Sequence, residues 1–600
     1  MSSPLIAHRP GSQSSNSNAE DHDIAEEDAL LTGHRTSKQS PRSSSFFDRS
    51  KWREIGLFVW ALLATTAVVV LAVVYQHSRA SNNGSDGTSP PSGKKNLIFM
   101  VSDGMGPTSL SLTRSWRQYT EGLPWDETLI LDEHLIGQSR TRSTSSLVTD
   151  SAAGATAFSC GMKSYNGAIS VLPNFEPCGS VMEAAKRRGY TTGLVVTTRI
   201  TDATPAVFAS HARRREMQDD IARQMVGEKH PLGRMVDLMM GGGRCHFLPN
   251  SSMSGCRHDD VDVVKIAKKE GWDYIESKKE FEHLGTSVNM PFLGLFAEHD
   301  IPYEIDRREM DDAYPSLEAM TKKALQLLAA ETKDKEEGFF VMIEGSRIDH
   351  AGHANDPAAQ VHEVLAYDRA MAAVLDFIKD EETPTLMVAT SDHETGGLAT
   401  ARQLHREYPH YLWHPSVLAN VSHSAAFTAH EYHKHLDEHK HAEHDSSSSE
   451  DTRAWLAQLS SKALGIHDCS EEEIDTLLED PVLAAWTFAD MVSRRSQTGW
   501  STHGHSGADV NIYSSNPLLA KALVGNHENT DVGAFLRHYL DLDEEVKTVT
   551  KNLREHMHSI GAETYLGRIP DDEERLDGQD HLDRYAGDHK KRGGCEVCGL

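Results

Sequence analysis

NLIFMVSDGMG, residues 96–106, runs an apolar block without alternation straight into an aspartate set among small residues. Such a block fits a strand buried on both faces, as in parallel sheets covered by helices. The same event recurs three times. TTGLVVTT (191–198) leads into RITDATP, GFFVMIEG (338–345) into SRIDHAGHAND, and TPTLMVAT (383–390) into SDHETGG. Between them lie amphipathic stretches; YPSLEAMTKKALQLLAAE sets Leu317, Met320, Leu327 and Leu328 on one helical face. The fold class predicted is α/β: a doubly wound, mostly parallel sheet flanked by helices, with insertions. In such sheets the ligand site lies beyond the carboxyl ends of the strands.

That is where the acids collect. Asp103 follows the first run, Asp202 the second, Glu344 and Asp349 the third, and Asp392 with His393 the fourth. His353, four residues after Asp349, can face the same way on a turn of helix. One aspartate after a strand reads as a turn former or helix cap. Four strand ends with acids, two of them with adjacent histidines, point instead to metal. Mixed oxygen and nitrogen donors suit zinc, and carboxylates with a hydroxyl suit magnesium.

VTDSAAGATA (148–157) places Asp150 and Ser151 before a run of small residues. Either residue is a good helix cap, and Ser151 is also a candidate nucleophile. No Gly-x-Ser-x-Gly elbow surrounds it and no histidine is close in sequence. A catalytic Ser151 therefore needs another device to lower the pKa of its hydroxyl.

The chain has 600 residues and a formal charge of −29 spread along its length, which argues against nucleic-acid binding. Residues 1–54 are rich in Ser, Asn and charge and read as a disordered tail. Ile55–Tyr75 is uncharged and meets the roughly 20 residues that a bilayer-spanning helix requires. Arg49, Lys51 and Arg53 precede it and only Arg79 follows closely, so the tail is expected in the cytosol and the remainder in a lumen. This is the signature of a single-pass type II membrane protein. In the tail, EEDALL sets Glu26 ahead of Leu30 and Leu31, a sorting-adaptor signal of the acidic dileucine type. Residues 76–93, ending in SNNGSDGTSPPSG, read as a linker. Sequons at Asn83, Asn250 and Asn420 all fall on the lumenal side. Seven cysteines follow the anchor; Cys245 can pair with Cys256 and Cys595 with Cys598, and spacing alone leaves connectivity open.

DGMG, VTDSAAGATA, TDATPA, EGSRIDHAGHAND, SDHETGG and THGHSGADV stand in the order in which they occur in alkaline phosphatases. The chain resembles that family over roughly residues 94–550, with a domain expected at 94–560. The anchor and acidic tail resemble its fungal vacuolar members, implying a vacuolar membrane location with the catalytic domain in the lumen. The resemblance implies two Zn2+ and one Mg2+ per subunit. Asp349, His353 and His505 would hold the first zinc, His505 directly preceding SGADV and His503 being the fallback. Asp392, His393 and Asp103 would hold the second, with Asp103 bridging to the magnesium. Thr204 and Glu344 complete the magnesium set, and Asp202 would bind that ion's waters. A zinc-coordinated serine oxygen loses its proton readily, so Ser151 needs no histidine base. The activity implied is hydrolysis of phosphate monoesters through a phosphoserine, over a broad range of small phosphorylated substrates and possible phosphopeptides or phosphoproteins. A homodimer is also implied.

Phosphate should meet one arginine of HARRRE; counting from TDATPA as the family does selects Arg215 over Arg213 and Arg214. Bacterial members pair Asp at the Asp202 position with Lys at the His350 position, whereas vertebrate members have His at both. Asp202 with His350 is a third combination, from which weaker product binding is expected. Other activities on the same fold are a phosphodiesterase, sulfatase or phosphomutase; a different class is a catalytically inactive metal-binding protein. Ser151 is followed by Ala-Ala, outside a sulfatase context, and every matched ligand position is intact. In the insertion at 401–450, His410 to His444 is crowded with histidines, as in HEYHKHLDEHKHAEHDSSSSED, and reads as a solvated surface excursion or a weak zinc-gathering or pH-sensitive loop. Residues 561–600 read as a loose polar tail.

Overall fold

Alternate residues of one strand feed two different cores. In β1 (Asn96–Val101), Leu97, Phe99 and Val101 pack into one hydrophobic cluster and Ile98 and Met100 into another. That two-sided burial explains the unbroken apolar run and requires helices on both faces of the sheet. The protein is described by a computed structural model covering residues 91–439 and 446–571, together with Trp60, Thr65 and Thr66, which are helical. Contacts divide the chain into Met1–Asn83 and Gly84–Leu600, and the fold below is that of the second unit.

Its strands are β1, β2 (Leu135–Arg140), β3 (Thr191–Arg199), β4 (Leu238–Gly242), β5 (Asp273–Ile275), β6 (Phe292–Leu295), β7 (Phe339–Glu344), β8 (Thr385–Thr390), β9 (Glu394–Thr395), β10 (His505–Ser506), β11 (Val510–Ser514) and β12 (Gly525–Glu528). The helices used below are α1 (Ser151–Cys160), α2 (Val181–Arg187), α3 (Ala203–Ala209), α4 (Leu317–Thr332), α5 (Arg347–His353) and α6 (Pro357–Asp380). After β9 come α7 (Ala425–His439), α8 (Ser446–Leu464), α9 (Ala484–Ser496), α10 (Asn529–Tyr539), α11 (Asp543–Ile560) and α12 (Ala562–Leu566).

Ten strands form one sheet in the order β12-β2-β11-β8-β1-β7-β3-β4-β6-β5. Every neighbouring pair is parallel except those of β11, which runs against β2 and β8. Helices α1, α2, α3, α10 and α11 cover one face, and α4 and α6 the other. Leu317, Met320, Leu327 and Leu328 of α4 are all buried, as their spacing required.

The four acid-bearing strands are adjacent, in the order β8-β1-β7-β3. Register levels their ends, with Val101 opposite both Glu344 and Thr390. The chain leaves β1 and β7 towards one side of the sheet, for β2 and β8, and leaves β3 towards the other, for β4, so a topological switch point lies between the carboxyl ends of β7 and β3.

Two expectations change. The histidine-rich stretch is no solvated excursion throughout: Ala425, Thr428, Ala429 and Tyr432 of α7 are buried, and α7, α8 and α9 share a third hydrophobic cluster. Residues 404–412 of that insertion are exposed. The packed domain also continues past Ile560, because Tyr565 and Leu566 of α12 are buried in the main core. Cys245 is bonded to Cys256 as expected, and Cys160 at the end of α1 is bonded to Cys178, a pair that its spacing did not reveal.

Asn250 and Asn420 are exposed. Residues 1–54 with EEDALL, the expected anchor apart from Trp60, Thr65 and Thr66, Asn83, Cys595 and Cys598 lie outside the described residues. Among the described residues no helix is long and apolar enough to cross a membrane.

Candidate active site

Helix α1 begins at Ser151, and its cap is Asp150: the Asp150 carboxylate accepts the Ala153 N–H at 3.0 Å and the Gly167 N–H at 2.9 Å. Ser151 is therefore the first helical residue, which frees its hydroxyl from capping. Its Oγ stands 3.0 Å from Nε2 of His393. The small residues of α1 serve close approach: a Cβ on Gly154 would lie 3.1 Å from Cβ of Asp392. Gly104 is more constrained still. Its φ is +78° and a Cβ there would lie 2.4 Å from Cα of Asp349, so DGMG brings β1 and α5 together as no other residue could.

Two clusters with metal-ligand composition meet at these strand ends: Asp349 with His353 and His505, and Asp103 with Asp392 and His393. In the first, Nε2 of His353 and Nε2 of His505 are 3.0 Å apart. Nδ1 of His505 faces the Thr149 carbonyl at 2.7 Å and Nδ1 of His353 faces the His503 carbonyl. A carbonyl only accepts, so each Nδ1 carries the proton and both Nε2 lone pairs point into the same space. Asp349 Oδ1 lies 3.3 Å from Nε2 of His353 and 3.5 Å from Nε2 of His505. Burial opposes ionisation of Asp349, yet His353, His505 and His393 outweigh it and hold its pKa well below the usual range.

In the second cluster, Nε2 of His393 is 3.2 Å from Asp392 Oδ2 and 3.5 Å from Asp103 Oδ1. Thr204 donates its hydroxyl to Asp103 Oδ2 across 3.5 Å. Asp103 Oδ1, Glu344 Oε2 and Asp392 Oδ2 are buried without a hydrogen-bond partner. Burial and the neighbouring Asp392, Asp349, Glu344 and Asp202 push Asp103 well up, and burial first, then Asp202 and Asp392, push Glu344 up to about 8. Orphaned carboxylate oxygens and converging imidazole lone pairs are what a set of cations satisfies. The donors fit zinc at the two His/Asp clusters and magnesium at Asp103, Thr204 and Glu344.

Arg215 donates to Oδ2 of Asp150, the residue before Ser151, at 3.2 Å and to Asp202 Oδ1 at 2.9 Å. Asp202 also caps α3 through Ala203 N–H and accepts from Arg199 at 2.9 Å. Its carboxylate is thus occupied in holding two guanidiniums, whose charges keep its pKa well below normal despite burial. The other two arginines go elsewhere. Arg213 donates to the carbonyls of Phe175 and Gly567, and Arg214 pairs with Glu216 at 3.8 Å. His503 turns away, its ring 4.1 Å from that of Trp486 in a stacked arrangement. His350 accepts from Nε of Arg347 at 3.2 Å; burial and that charge depress its pKa well below the usual value, so it carries no fixed charge.

Two residues of the site were not legible beforehand. The Thr395 hydroxyl is 2.5 Å from Asp349 Oδ1 and 3.2 Å from Nδ1 of His393, joining the two clusters. Arg199, which shares Asp202 with Arg215, also donates its backbone N–H to Asp300 Oδ1 at 2.9 Å. Thr395 lies in SDHETGG and could have been found from its place beside the ligands; Arg199 left no signal.

A doubly wound α/β sheet with a helix-borne serine facing paired metal clusters defines a metal-binding hydrolase. The comparisons make this specific. The alkaline phosphatase family model matches residues 94–542, and the chain belongs to that family. The chain is 51% identical over 487 residues to the repressible alkaline phosphatase of Saccharomyces cerevisiae, covering 78% of this chain and 84% of that one. It is 42% identical over 538 residues to the alkaline phosphatase of Schizosaccharomyces pombe, covering 88% and 94%. Among solved structures, Thermus thermophilus alkaline phosphatase superposes with a TM-score of 0.63 at 26% identity, covering 79% of this chain and 99% of that one. The cold-active enzyme of a Shewanella species gives 0.59 at 30% identity, covering 73% and 98%. The chain is accordingly a phosphatase, and its family implies phosphomonoester hydrolysis.

Proposed function

We propose that the protein hydrolyses phosphate monoesters to alcohol and inorganic phosphate through a phosphoserine formed on Ser151, using two Zn2+ and one Mg2+. The observation that carries this reading is the approach of Ser151 Oγ to His393 Nε2 at the start of α1, with Arg215 held by the adjoining Asp150. Asp349, His353 and His505 hold the first zinc, Asp103, Asp392 and His393 the second, and Thr204 and Glu344 complete the magnesium set with Asp103. A solved relative, an alkaline phosphatase mutant of the Antarctic bacterium TAB5 with Mg bound in the M3 site, supports magnesium here. Bound in these clusters, the ions supply Lewis acidity that lowers the pKa of a hydroxyl and stabilises charge on entering and leaving oxygens.

The chain's own residues do the rest. Asp150 and Asp202 aim Arg215, whose planar fork binds two phosphoryl oxygens at once. The free N–H groups of the first turn of α1 add partial positive charge beside the phosphate. Ser151 Oγ attacks phosphorus in line and the alcohol departs on the opposite side. Water then attacks the phosphoserine, the P–O bond to Ser151 breaks, and the serine is regenerated with inorganic phosphate. Asp202 is a positioning residue for Arg215 as well as a neighbour of the magnesium set. Neutral His350 leaves no fixed charge there to retain product, which supports ready release of phosphate.

The location belongs to the same proposal. Ile55–Tyr75 anchors the chain in the vacuolar membrane with residues 1–54 in the cytosol, Glu26, Leu30 and Leu31 meet a sorting adaptor, and the enzyme works as a homodimer in the lumen. The exposed sequons Asn250 and Asn420 and the two disulfides support an oxidising, glycosylating compartment. The test is an assay of the full chain on a chromogenic phosphomonoester after chelation. Activity should vanish and return only with zinc and magnesium together; activity that survives chelation contradicts the three-metal reading.

A further inference from the structure

The histidine-rich helix α7 holds a feature that catalysis does not use. His435 and His439 are one helical turn apart on the same face, their ring centroids 4.2 Å from one another. This is the i, i+4 spacing by which α5 presents Asp349 and His353. We propose that His435 and His439 chelate a divalent transition-metal ion, Zn2+ in particular, at a site separate from the catalytic centre.

The two rings are prepared for it. Nδ1 of His439 is 2.8 Å from the His435 carbonyl. A carbonyl only accepts, so Nδ1 carries the proton and Nε2 is left with its lone pair, the arrangement that metal-binding histidines adopt. The His435 ring lies stacked on Trp455 of α8, at 4.0 Å and 10°. The stack fixes the ring's plane before any ion arrives, so little rotamer entropy remains to be lost on binding. Burial first, then the neighbouring His439, lower the pKa of His435, which favours the neutral ring that a metal needs.

Position also discriminates among the histidines of this helix. Nε2 of His433 is 2.7 Å from the Pro481 carbonyl, so that ring is already committed to a hydrogen bond on another face. Two imidazoles suit zinc, copper and nickel and do not suit calcium or magnesium, which take oxygen donors. Water fills the remaining positions, and the ion clips the last turn of α7. Binding to the folded chain alone then raises its stability by mass action.

The site is independent of the catalytic reading, and the experiment keeps the two apart. Metal-replete full-length protein is dialysed to equilibrium against increasing Zn2+, and bound zinc per chain is counted for the wild type and for His435→Ala, His439→Ala and His433→Ala. The wild type and His433→Ala should take up one further zinc beyond the catalytic ions. Either His435→Ala or His439→Ala should bind that ion at least about tenfold more weakly, with phosphatase activity unchanged as proof of folding. In parallel, Ni2+ should quench a component of tryptophan emission that Trp455→Phe removes. Equal zinc uptake by all four proteins, or an equal loss in His433→Ala, overturns the proposal, since either result means diffuse binding by a histidine-rich surface.

Discussion

His353 and His505 bring their Nε2 atoms to 3.0 Å of one another while each turns its Nδ1 to a backbone carbonyl. With each Nδ1 committed to a carbonyl, both Nε2 atoms are turned into the space beside Asp349. A cation between them and Asp349 is the physical resolution. His505→Ala should therefore remove one zinc per chain and lower kcat by about a hundredfold or more. His503→Ala should leave the zinc content intact, because that ring stacks on Trp486 outside the cluster. Metal analysis alongside turnover separates the two residues.

The three consecutive arginines should behave differently. Arg215→Lys loses the bidentate fork, so inhibition by inorganic phosphate should weaken by about ten- to a hundredfold, the equivalent of about 1.5–3 kcal/mol. Arg214→Ala should change it less than about twofold, since Arg214 pairs with Glu216 at 3.8 Å and not with the Asp150 and Asp202 carboxylates that hold Arg215. Arg213→Ala should chiefly lower Tm, because Arg213 fastens the carbonyl of Gly567 beside α12. Phosphate inhibition constants and melting curves on the three variants check this ordering.

Thr395 hydrogen-bonds one ligand from each zinc cluster. Thr395→Val keeps the shape and deletes the hydroxyl, and zinc affinity should fall about 10- to 100-fold. A positioning role further requires that excess zinc restore most of the activity; a loss that zinc does not rescue argues for a direct part in the reaction.

Away from the site, Glu183 is buried with His211 at 2.9 Å and His230 at 2.8 Å. Burial alone would raise its pKa, but the two imidazoles and their hydrogen bonds hold it well below the usual carboxylate range. A depressed carboxylate stabilises the fold fully above its unfolded pKa of about 4.3 and loses that contribution as pH falls below it. Glu183→Gln should cost about 3–5 kcal/mol at neutral pH, with the gap to the wild type closing on acidification below about pH 4. Denaturation midpoints over a pH series show whether the gap closes.

Much of this molecule was legible because its central strands are covered on both faces. β1, β3, β7 and β8 read as apolar runs, and the acid after each run marks the strand end where a site must lie. The order of the motifs then supplied the family. What stayed hidden depends on contacts between distant residues. Cys160 meets Cys178 only because α1 and the approach to α2 fold together. Arg199 enters the site through Asp202, a hydrogen bond that spacing does not announce. The helix α7 was hard to see because histidines mask its apolar face, where Ala425, Ala429 and Tyr432 carry the packing. Tyr565 and Leu566 sit in a polar stretch, and only their partners in the core reveal them as part of the domain.

Ser151 is the centre of the account, and its Oγ is 3.0 Å from a second group able to accept phosphate, Nε2 of His393. Rapid acid quench during turnover of a phosphomonoester, followed by peptide mass spectrometry, distinguishes them. The expected result is phosphate on Ser151 in the wild type and no phosphopeptide from Ser151→Ala. Phosphate on His393, or turnover by Ser151→Ala at the wild-type rate, contradicts the serine mechanism.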